Sequence, residues 1–162
     1  MNANLSSAIS PADNKVVVLA IDGLKLILPQ RDIRTVESIG DVELAEKMPT
    51  SIGTINYRGQ RWPVVCVSSG LLILDVVPAS RRACVMLALD GQFLGLLCDD
   101  AKVLLNFTQQ SFAIPRSMRT HESPITGLIQ YEQSLACLSD ARHLFSYVKF
   151  TAIHEQEEVH HV

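Results

Sequence analysis

Short apolar runs separated by turn residues account for most of this chain. Residues 15–21 are almost continuously apolar, Asp22-Gly23 follows, and residues 24–28 return with apolar side chains alternating onto one face. An Asp-Gly pair between two such runs is a strong signal for a two-residue β-hairpin. The same arrangement recurs around Arg58-Gly59, Asp90-Gly91 and Glu132-Gln133. The pattern therefore predicts a mainly β protein built from consecutive hairpins.

Three segments depart from the hairpin pattern. Residues 41–47 fit a short helix that Asp41 can cap, and residues 71–77 fit either a strand or a helical turn. After Asp140, apolar residues at helical spacing predict a short terminal helix. The residues that share its apolar face are Ala141, Leu144, Phe145 and Val148.

The same pattern divides the chain into a domain and two flanking segments. Residues 1–14 are rich in Ser, Ala and Asn and predict a flexible arm, residues 15–148 form the domain, and residues 149–162 form a C-terminal tail. Many short strands at spacings of about ten residues are typical of a small barrel or of paired barrels.

Composition narrows the classes of function. The chain has 162 residues, of which 48% are hydrophobic and 19% charged, so it can bury a substantial core. A formal charge of −3 without a basic cluster argues against nucleic acid as a partner. The longest apolar runs fall well short of the roughly 20 residues that cross a bilayer, and the first residues do not form a secretion signal. We therefore expect a cytoplasmic protein with no direct membrane insertion.

The residue types that carry out catalysis are present but not grouped. Cys66, Cys84, Cys98 and Cys137 each sit in an apolar run, and none belongs to a C-x-x-C pair. Nothing in the sequence joins one of these thiols to His121 or His143 as a nucleophile and its base. The histidines near the C-terminus do not share a helix face, so a solvated tail is favoured over a metal site. We expect no enzyme activity, no metal and no cofactor.

A hairpin in the middle of the chain carries the residue types typical of binding surfaces. Residues 52–67 contain two apolar runs around Arg58-Gly59, with Trp62, the only tryptophan, close by. Tryptophan and arginine dominate the energetics of protein interfaces, so this hairpin is the first candidate for a partner-binding surface. For Trp62 itself a position in the core is the favoured interpretation, because an aromatic side chain in a strand usually packs inward.

The order of motifs resembles that of the CheW-like chemotaxis coupling family over about residues 15–148. The family's G-x-x-N-x-R-G hairpin followed by P-[IV]-V is matched by Gly53, Asn56, Arg58, Gly59, Pro63, Val64 and Val65. A G-[LI]-[LV]-V-D turn is matched by residues 95–99, and a third feature by Thr126-Gly127. The resemblance implies two intertwined five-stranded SH3-like barrels with a shared apolar interface.

The resemblance also implies a function without chemistry. Proteins of this kind are adaptors that couple the cytoplasmic tip of a chemoreceptor to the regulatory domain of a CheA-type histidine kinase, in chemotaxis or in pilus motility. Weak self-association through an open barrel edge is a further possibility that the sequence leaves open. The alternative, from another class, is an SH3-like-barrel module that senses a peptide or a small molecule and has lost kinase coupling.

Particular residues match the family's functional positions. Ile33 and Val36 match apolar positions lining a groove for a receptor helix, although each could equally be core. Arg58 matches the hairpin arginine that shapes the contact surface. Gly53 and Gly95 match positions where close strand approach excludes a side chain. Asp99 matches a turn aspartate that accepts backbone hydrogen bonds, with partner contact as the lesser role. Together with Trp62, these residues form the predicted partner-binding set.

The chain also departs from the family pattern at charged positions. Where family members continue P-[IV]-V with Asp-Leu-Arg, this chain has Cys66, Val67 and Ser68. The strand glutamate of the family falls on Thr35, with Glu37 two residues further along the same strand face. If that glutamate normally pairs with the hairpin arginine, Glu37 is the candidate partner of Arg58. These changes indicate a divergent member of the family.

Overall fold

Two-residue turns set the architecture, as the sequence pattern predicts. The computed structural model describes residues 15–44, 50–107, 111–114 and 123–160. Both central residues of all four predicted turns have positive φ, from 49° at Asp22 to 91° at Gly23. Positive φ at both positions is the type I′ geometry, whose twist matches that of the two flanking strands. Each turn therefore joins two directly paired antiparallel strands.

The first sheet combines the beginning and the end of the domain. Its strands are β1 (Val16–Ile21), β2 (Leu24–Pro29), β9 (Asp100–Leu104), β10 (Ser111–Ala113), β11 (Gly127–Tyr131) and β12 (Ser134–Leu138). They lie in the order β10-β11-β12-β2-β1-β9. The pairing of β12 with β2 is parallel and the others are antiparallel.

The second sheet is formed by the middle of the chain. Its strands are β3 (Ile33–Ser38), β4 (Val42–Glu43), β5 (Gly53–Tyr57), β6 (Gln60–Val65), β7 (Ala83–Leu89) and β8 (Gln92–Cys98). They lie in the order β3-β7-β8-β6-β5-β4, with a parallel pair between β6 and β8. The chain thus leaves the first sheet after β2 and returns to it at β9, so the two halves are intertwined. In each sheet a short edge strand, β4 or β10, adds one to the five strands that the resemblance implies.

Three apolar clusters explain why the strands are apolar on both faces. Alternate residues of β1 point into two of them: Val16 and Val18 pack within the first sheet's own cluster, whereas Val17 and Leu19 pack in a cluster shared with β7 and β8. The third cluster lies within the second sheet and includes Trp62. Burial on both faces accounts for continuous apolar runs instead of simple alternation. The shared cluster is the apolar interface that joins the two sheets.

One helix closes the shared cluster. Helix α1 (Ala141–His160) places Ala141, Leu144 and Phe145 in that cluster. The backbone N–H of Ala141 donates to the Asp32 carboxylate at 2.9 Å, and that of His143 donates to Asp140 at 2.8 Å. Helical backbone continues past residue 148, where the predicted tail begins. No helix in the described part of the chain is long and apolar enough to cross a membrane.

Two of the predicted segments differ in the structure. The helix expected over residues 41–47 is absent from its described part, because Ile39–Asp41 forms a 3₁₀ turn and Val42 pairs with Ile55 of β5. Pairing with the β5 edge outweighs the weak capping signal, and residues 45–49 lie outside the described residues. Residues 71–77 are neither strand nor helix, but a loop held by a single bridge between Val67 and Ile73. The predicted N-terminal arm also lies outside the described residues.

Candidate functional site

The tip of the β5–β6 hairpin presents an exposed cation. Arg58 has φ 50° and Gly59 has φ 81°, so both occupy the left-handed region that the type I′ turn requires. Gly59 adopts it without a Cβ clash, whereas Arg58 bears some strain. The Arg58 guanidinium carbon lies 5.3 Å from the centroid of the Tyr57 ring, which is a cation–π contact. The aromatic ring therefore helps to hold the cation at the tip.

The structure does not join Arg58 to Glu37. Glu37 lies on β3 opposite Cys84 of β7, and three strands separate β3 from β5 in the sheet order. Among the described residues, the salt bridges do not include one between Glu37 and Arg58. The guanidinium thus remains available for another anionic group.

Trp62 is a core residue. Its side chain is only 4% exposed and packs against Tyr57, with ring centroids 5.8 Å apart, and against Phe93, at 4.9 Å. Its indole N–H is buried and has no hydrogen-bond partner among the described residues. Of the two interpretations of Trp62, the structure therefore shows the core position. The indole nitrogen of this core residue is left unpaired among the described residues.

Gly53 and Gly95 both occupy positions where strands approach closely. A Cβ on Gly53 would lie 2.3 Å from the carbonyl oxygen of Glu43, and one on Gly95 would lie 2.7 Å from the Sγ of Cys84. Real Cβ atoms essentially never show contacts under 3.0 Å, so a larger residue would force the neighbours to move. The structure thus leaves no room for a side chain at either position unless a neighbour moves. Both glycines are buried and shape the sheet instead of facing a partner.

Ile33 and Val36 differ in how far β3 exposes them. Ile33 is partly buried against the shared cluster, whereas Val36 is 42% exposed. Along the strand, half-buried and exposed positions alternate. Of this pair, Val36 is therefore the more exposed apolar side chain and the better candidate for a partner contact.

Asp99 ties the two sheets together. It follows β8 of the second sheet, and its Oδ2 accepts a hydrogen bond from the backbone N–H of Asp22 at 2.8 Å, in the β1–β2 turn of the first sheet. Its Oδ1 accepts from Nη1 of Arg81 at 2.8 Å. Asp99 thus accepts a backbone hydrogen bond, as expected, but the donor lies in the β1–β2 turn of the first sheet. Asp99 therefore stabilises that turn and not its own.

Arg81 is the residue that sequence reasoning missed. Its side chain is fully buried, and its two terminal nitrogens form a bidentate pair with Asp22 at 2.9 and 2.8 Å. Nη2 also donates to the carbonyl oxygen of Val67 at 2.7 Å. The neighbouring Arg82 is exposed, and nothing in the sequence distinguishes the two arginines. Arg81 thus brings a cation to the segment 66–68, where the resemblance leads one to expect charged residues.

Mutual contacts shift the pKa values of this cluster in a consistent direction. Hydrogen bonding to Asp22, with a further contribution from Asp99, raises the pKa of Arg81 above its ordinary value despite burial. The hydrogen bond from Arg81 lowers the pKa of Asp22. Burial alone would raise the pKa of Asp99, but hydrogen bonds from the Asp22 amide and from Arg81 help to lower it. All three groups are therefore charged at neutral pH.

The cysteines are unsuited to act as nucleophiles. Burial raises the pKa of Cys84 and of Cys98 to about 12, and it also raises those of Cys66 and Cys137. A thiol with so high a pKa carries little thiolate at neutral pH. In the described part of the chain, no three His, Cys, Asp or Glu side chains are grouped as a metal site.

Comparisons with known proteins agree with this architecture. The family model described as "CheW-like domain" matches residues 15–149. The crystal structure of the scaffolding protein TtCheW from Thermoanaerobacter tengcongensis is similar with a TM-score of 0.60. That similarity has 20% sequence identity and covers 78% of this chain and 88% of the other. Curated protein sequences give no significant match.

Proposed function

The chain belongs to the CheW-like domain family, and on that basis we propose that it is a non-enzymatic cytoplasmic scaffold in chemotaxis or pilus-motility signalling. The match of the family model over residues 15–149 carries this proposal. The scaffold couples the cytoplasmic tip of a chemoreceptor to the regulatory domain of a CheA-type histidine kinase.

Two exposed residues support a contact role on the second sheet. Arg58 stands at the tip of the β5–β6 hairpin with no carboxylate partner in the described residues, so it can pair with an acidic group on another protein. Val36 adds exposed apolar area on β3. Arginine is one of the residue types enriched at interface hot spots. The buried members of the predicted set, Trp62, Gly53 and Gly95, support that surface from beneath.

The mechanism is bridging. A scaffold that binds kinase and receptor at separate surfaces makes the second binding event intramolecular and raises the local concentration of kinase at the receptor. The buried Arg81 cluster suits this role because it holds the two sheets in one fixed arrangement. Two binding surfaces on a rigid body keep a constant separation.

A pull-down with the cognate kinase and a receptor-tip fragment tests the proposal. We expect the full chain to retain at least one of the two partners. Arg58→Asn should weaken this retention about tenfold and leave the melting temperature unchanged. Asn is the appropriate replacement because it tolerates the left-handed conformation that this turn imposes. Arg82→Asn is the matched control, since Arg82 is also exposed. If neither partner is retained by the unmodified chain, the scaffold role is wrong.

A further inference from the structure

A cleft of about 490 Å³ lies between the tips of two hairpins of the second sheet. It is bounded by the β5–β6 turn on one side and by the β7–β8 turn on the other, with the beginning of β3 along the edge. The side chains that decide its chemistry are Arg34, Tyr57, Arg58, Trp62, Asp90 and Phe93. Its size falls within the range of roughly 300–1,000 Å³ typical of small-molecule sites.

The strand pairing explains why the cleft is open. Strands β6 and β8 run parallel and are paired only at Val64 with Gly95 and at Val65 with Leu96. Before these pairs the two strands are not bonded to each other, so their hairpin tips stand side by side with space between them. Trp62 and Phe93, whose ring centroids are 4.9 Å apart, lie next to that space. The cleft is therefore built into the sheet topology and does not depend on a loop.

The charged residues of the cleft leave an excess of positive charge. Arg34 lies where the β3–β7 register shifts, and such bulges re-aim a side chain. Among the described residues, neither Arg34 nor Arg58 forms a salt bridge. The acidic residue lining the cleft, Asp90, is 3.5 Å from Nη2 of Arg142, and this largely exposed pair offsets only part of its charge. Arg34 and Arg58 therefore both line the cleft, and neither is paired with a carboxylate among the described residues.

A third polar group lacks a partner in the same place. The Trp62 indole N–H is buried and unpaired among the described residues, and Trp62 lines the cleft. Leaving a buried donor unpaired is unfavourable, and natural proteins rarely tolerate it without a reason. The nitrogen itself is buried, so it forms no direct contact with a ligand in the open cleft.

From these features we propose that the cleft binds a small organic anion, one with a planar ring and a carboxylate or phosphate group. The ring packs against Tyr57 and Phe93, and the anionic group pairs with Arg34 and Arg58, since guanidinium groups bind carboxylate and phosphate in a bidentate manner. The volume is larger than one acidic side chain of a partner protein needs, which favours a compact ligand that fills the cleft. The inference goes beyond the scaffold role and does not depend on it.

Because Trp62 is the only tryptophan, its fluorescence reports directly on the cleft. We would titrate the purified full chain with benzoate and with phenyl phosphate, using benzyl alcohol as the uncharged analogue. The expected result is a saturable change in Trp62 emission with at least one anionic probe and a much weaker change with benzyl alcohol. No kinase or receptor is present, so the outcome is independent of the pull-down.

Matched variants separate specific binding from general effects of charge. Arg34→Gln and Arg58→Gln should each weaken the anionic probe about tenfold, which is the size expected when one charge-assisted contact is lost. Arg82→Gln removes the same charge at the opposite end of β7 and should leave the affinity within about twofold. Asp90→Asn should tighten binding about threefold, because it removes the negative charge from the cleft, and an increase in affinity does not arise from misfolding.

The proposal is overturned if both anionic probes leave Trp62 emission unchanged at 10 mM, on the order of the weakest useful affinity. It is also overturned if benzyl alcohol binds as well as the anions, or if Arg82→Gln weakens binding as much as Arg34→Gln. A further contrary result would be loss of kinase retention in Arg34→Gln without any binding of the small anions. In that case the cleft belongs to a protein interface.

Discussion

The Arg81 guanidinium lies 2.8 Å from the Asp99 carboxylate, and the Arg81 side chain is fully buried. Asp99 joins β8 of the second sheet to β9 of the first, and Asp22, the other partner of Arg81, lies in the β1–β2 turn of the first sheet. Arg81 therefore links the β1–β2 turn of the first sheet to the connection between β8 and β9. A buried charge is tolerated there because both carboxylates and the Val67 carbonyl oxygen receive its hydrogen bonds.

Replacing Arg81 with Met should destabilise the protein strongly. The variant keeps an apolar side chain of similar length but leaves Asp22 and Asp99 without their cation. We expect a loss of about 2–4 kcal/mol in the free energy of unfolding, somewhat below the usual cost of breaking a buried pair because both carboxylates keep some water contact. Urea denaturation measures it. Arg82→Met is the control and should change stability by less than about 0.5 kcal/mol; equal losses in both variants would contradict the structural role.

The same cluster should make stability depend on acid pH. The pKa values of Asp22 and Asp99 are lowered in the folded protein relative to the ordinary value of 3.8, so the folded state binds these protons more weakly than the unfolded state. Their stabilising contribution is therefore present above about pH 4 and is lost as the pH falls through their folded values. Urea denaturation from about pH 6 to pH 3 should show the difference between the wild type and Arg81→Met shrinking below pH 4. A constant difference over that range would argue against the pairing.

Gly53 should not accept a side chain. In Gly53→Ala the new Cβ would lie 2.3 Å from the Glu43 carbonyl oxygen, which is backbone held by the β4–β5 pairing. Separating these strands should cost about 1–3 kcal/mol in the free energy of unfolding. Gly40→Ala is the matched control, because its Cβ would meet nothing closer than the Ser38 Oγ at 3.6 Å. Thermal unfolding of the two variants should differ clearly, and equal melting temperatures would mean that the close approach is not maintained in solution.

Asp32 should control the beginning of α1. Its carboxylate accepts a hydrogen bond from the backbone N–H of Ala141, although Asp32 lies 109 positions earlier in the chain. Asp32→Ala should cost about 1–2 kcal/mol, the usual range for losing an N-terminal cap, and should speed hydrogen exchange in the first turn of α1. Asp32→Asn retains an acceptor oxygen and should cost clearly less. If the two variants exchange at the same rate, the cap is not the source of the stability.

Much of the fold follows from local signals. The Asp22-Gly23, Arg58-Gly59 and Asp90-Gly91 turns are predicted because few residue pairs accept two consecutive positive φ values, and each turn also sets the register of its hairpin. Glu132-Gln133 adopts the same geometry without a glycine, which shows that the flanking strands can impose it. The helix prediction failed at residues 41–44, the described part of its range, where the strand pairing of Val42 with Ile55 involves a segment further along the chain.

The candidate site was only partly predictable. Close approach at Gly53 and Gly95 and the exposed position of Arg58 agree with the motif, whereas the structure separates Glu37 from Arg58 and leaves Val36 exposed where Ile33 is partly buried. Sequence patterns describe which face of a strand a residue occupies. They do not describe which strands become neighbours. Contacts between side chains on different strands, such as the expected pair of Glu37 and Arg58, depend on this strand order.

The sequence by itself determined the mainly β class, the four hairpin turns, the amphipathic start of α1 and the family, because each rests on short-range spacing or on an ordered set of motifs. Only the tertiary structure decided that Arg81 and not Arg82 is buried, that Asp99 fixes the turn of the other sheet, and that a cleft with Arg34 and Arg58 opens beside Trp62. The physical reason is that burial and charge pairing depend on the assembled sheets. The same arginine is stable in the interior only where two carboxylates from distant turns already meet it.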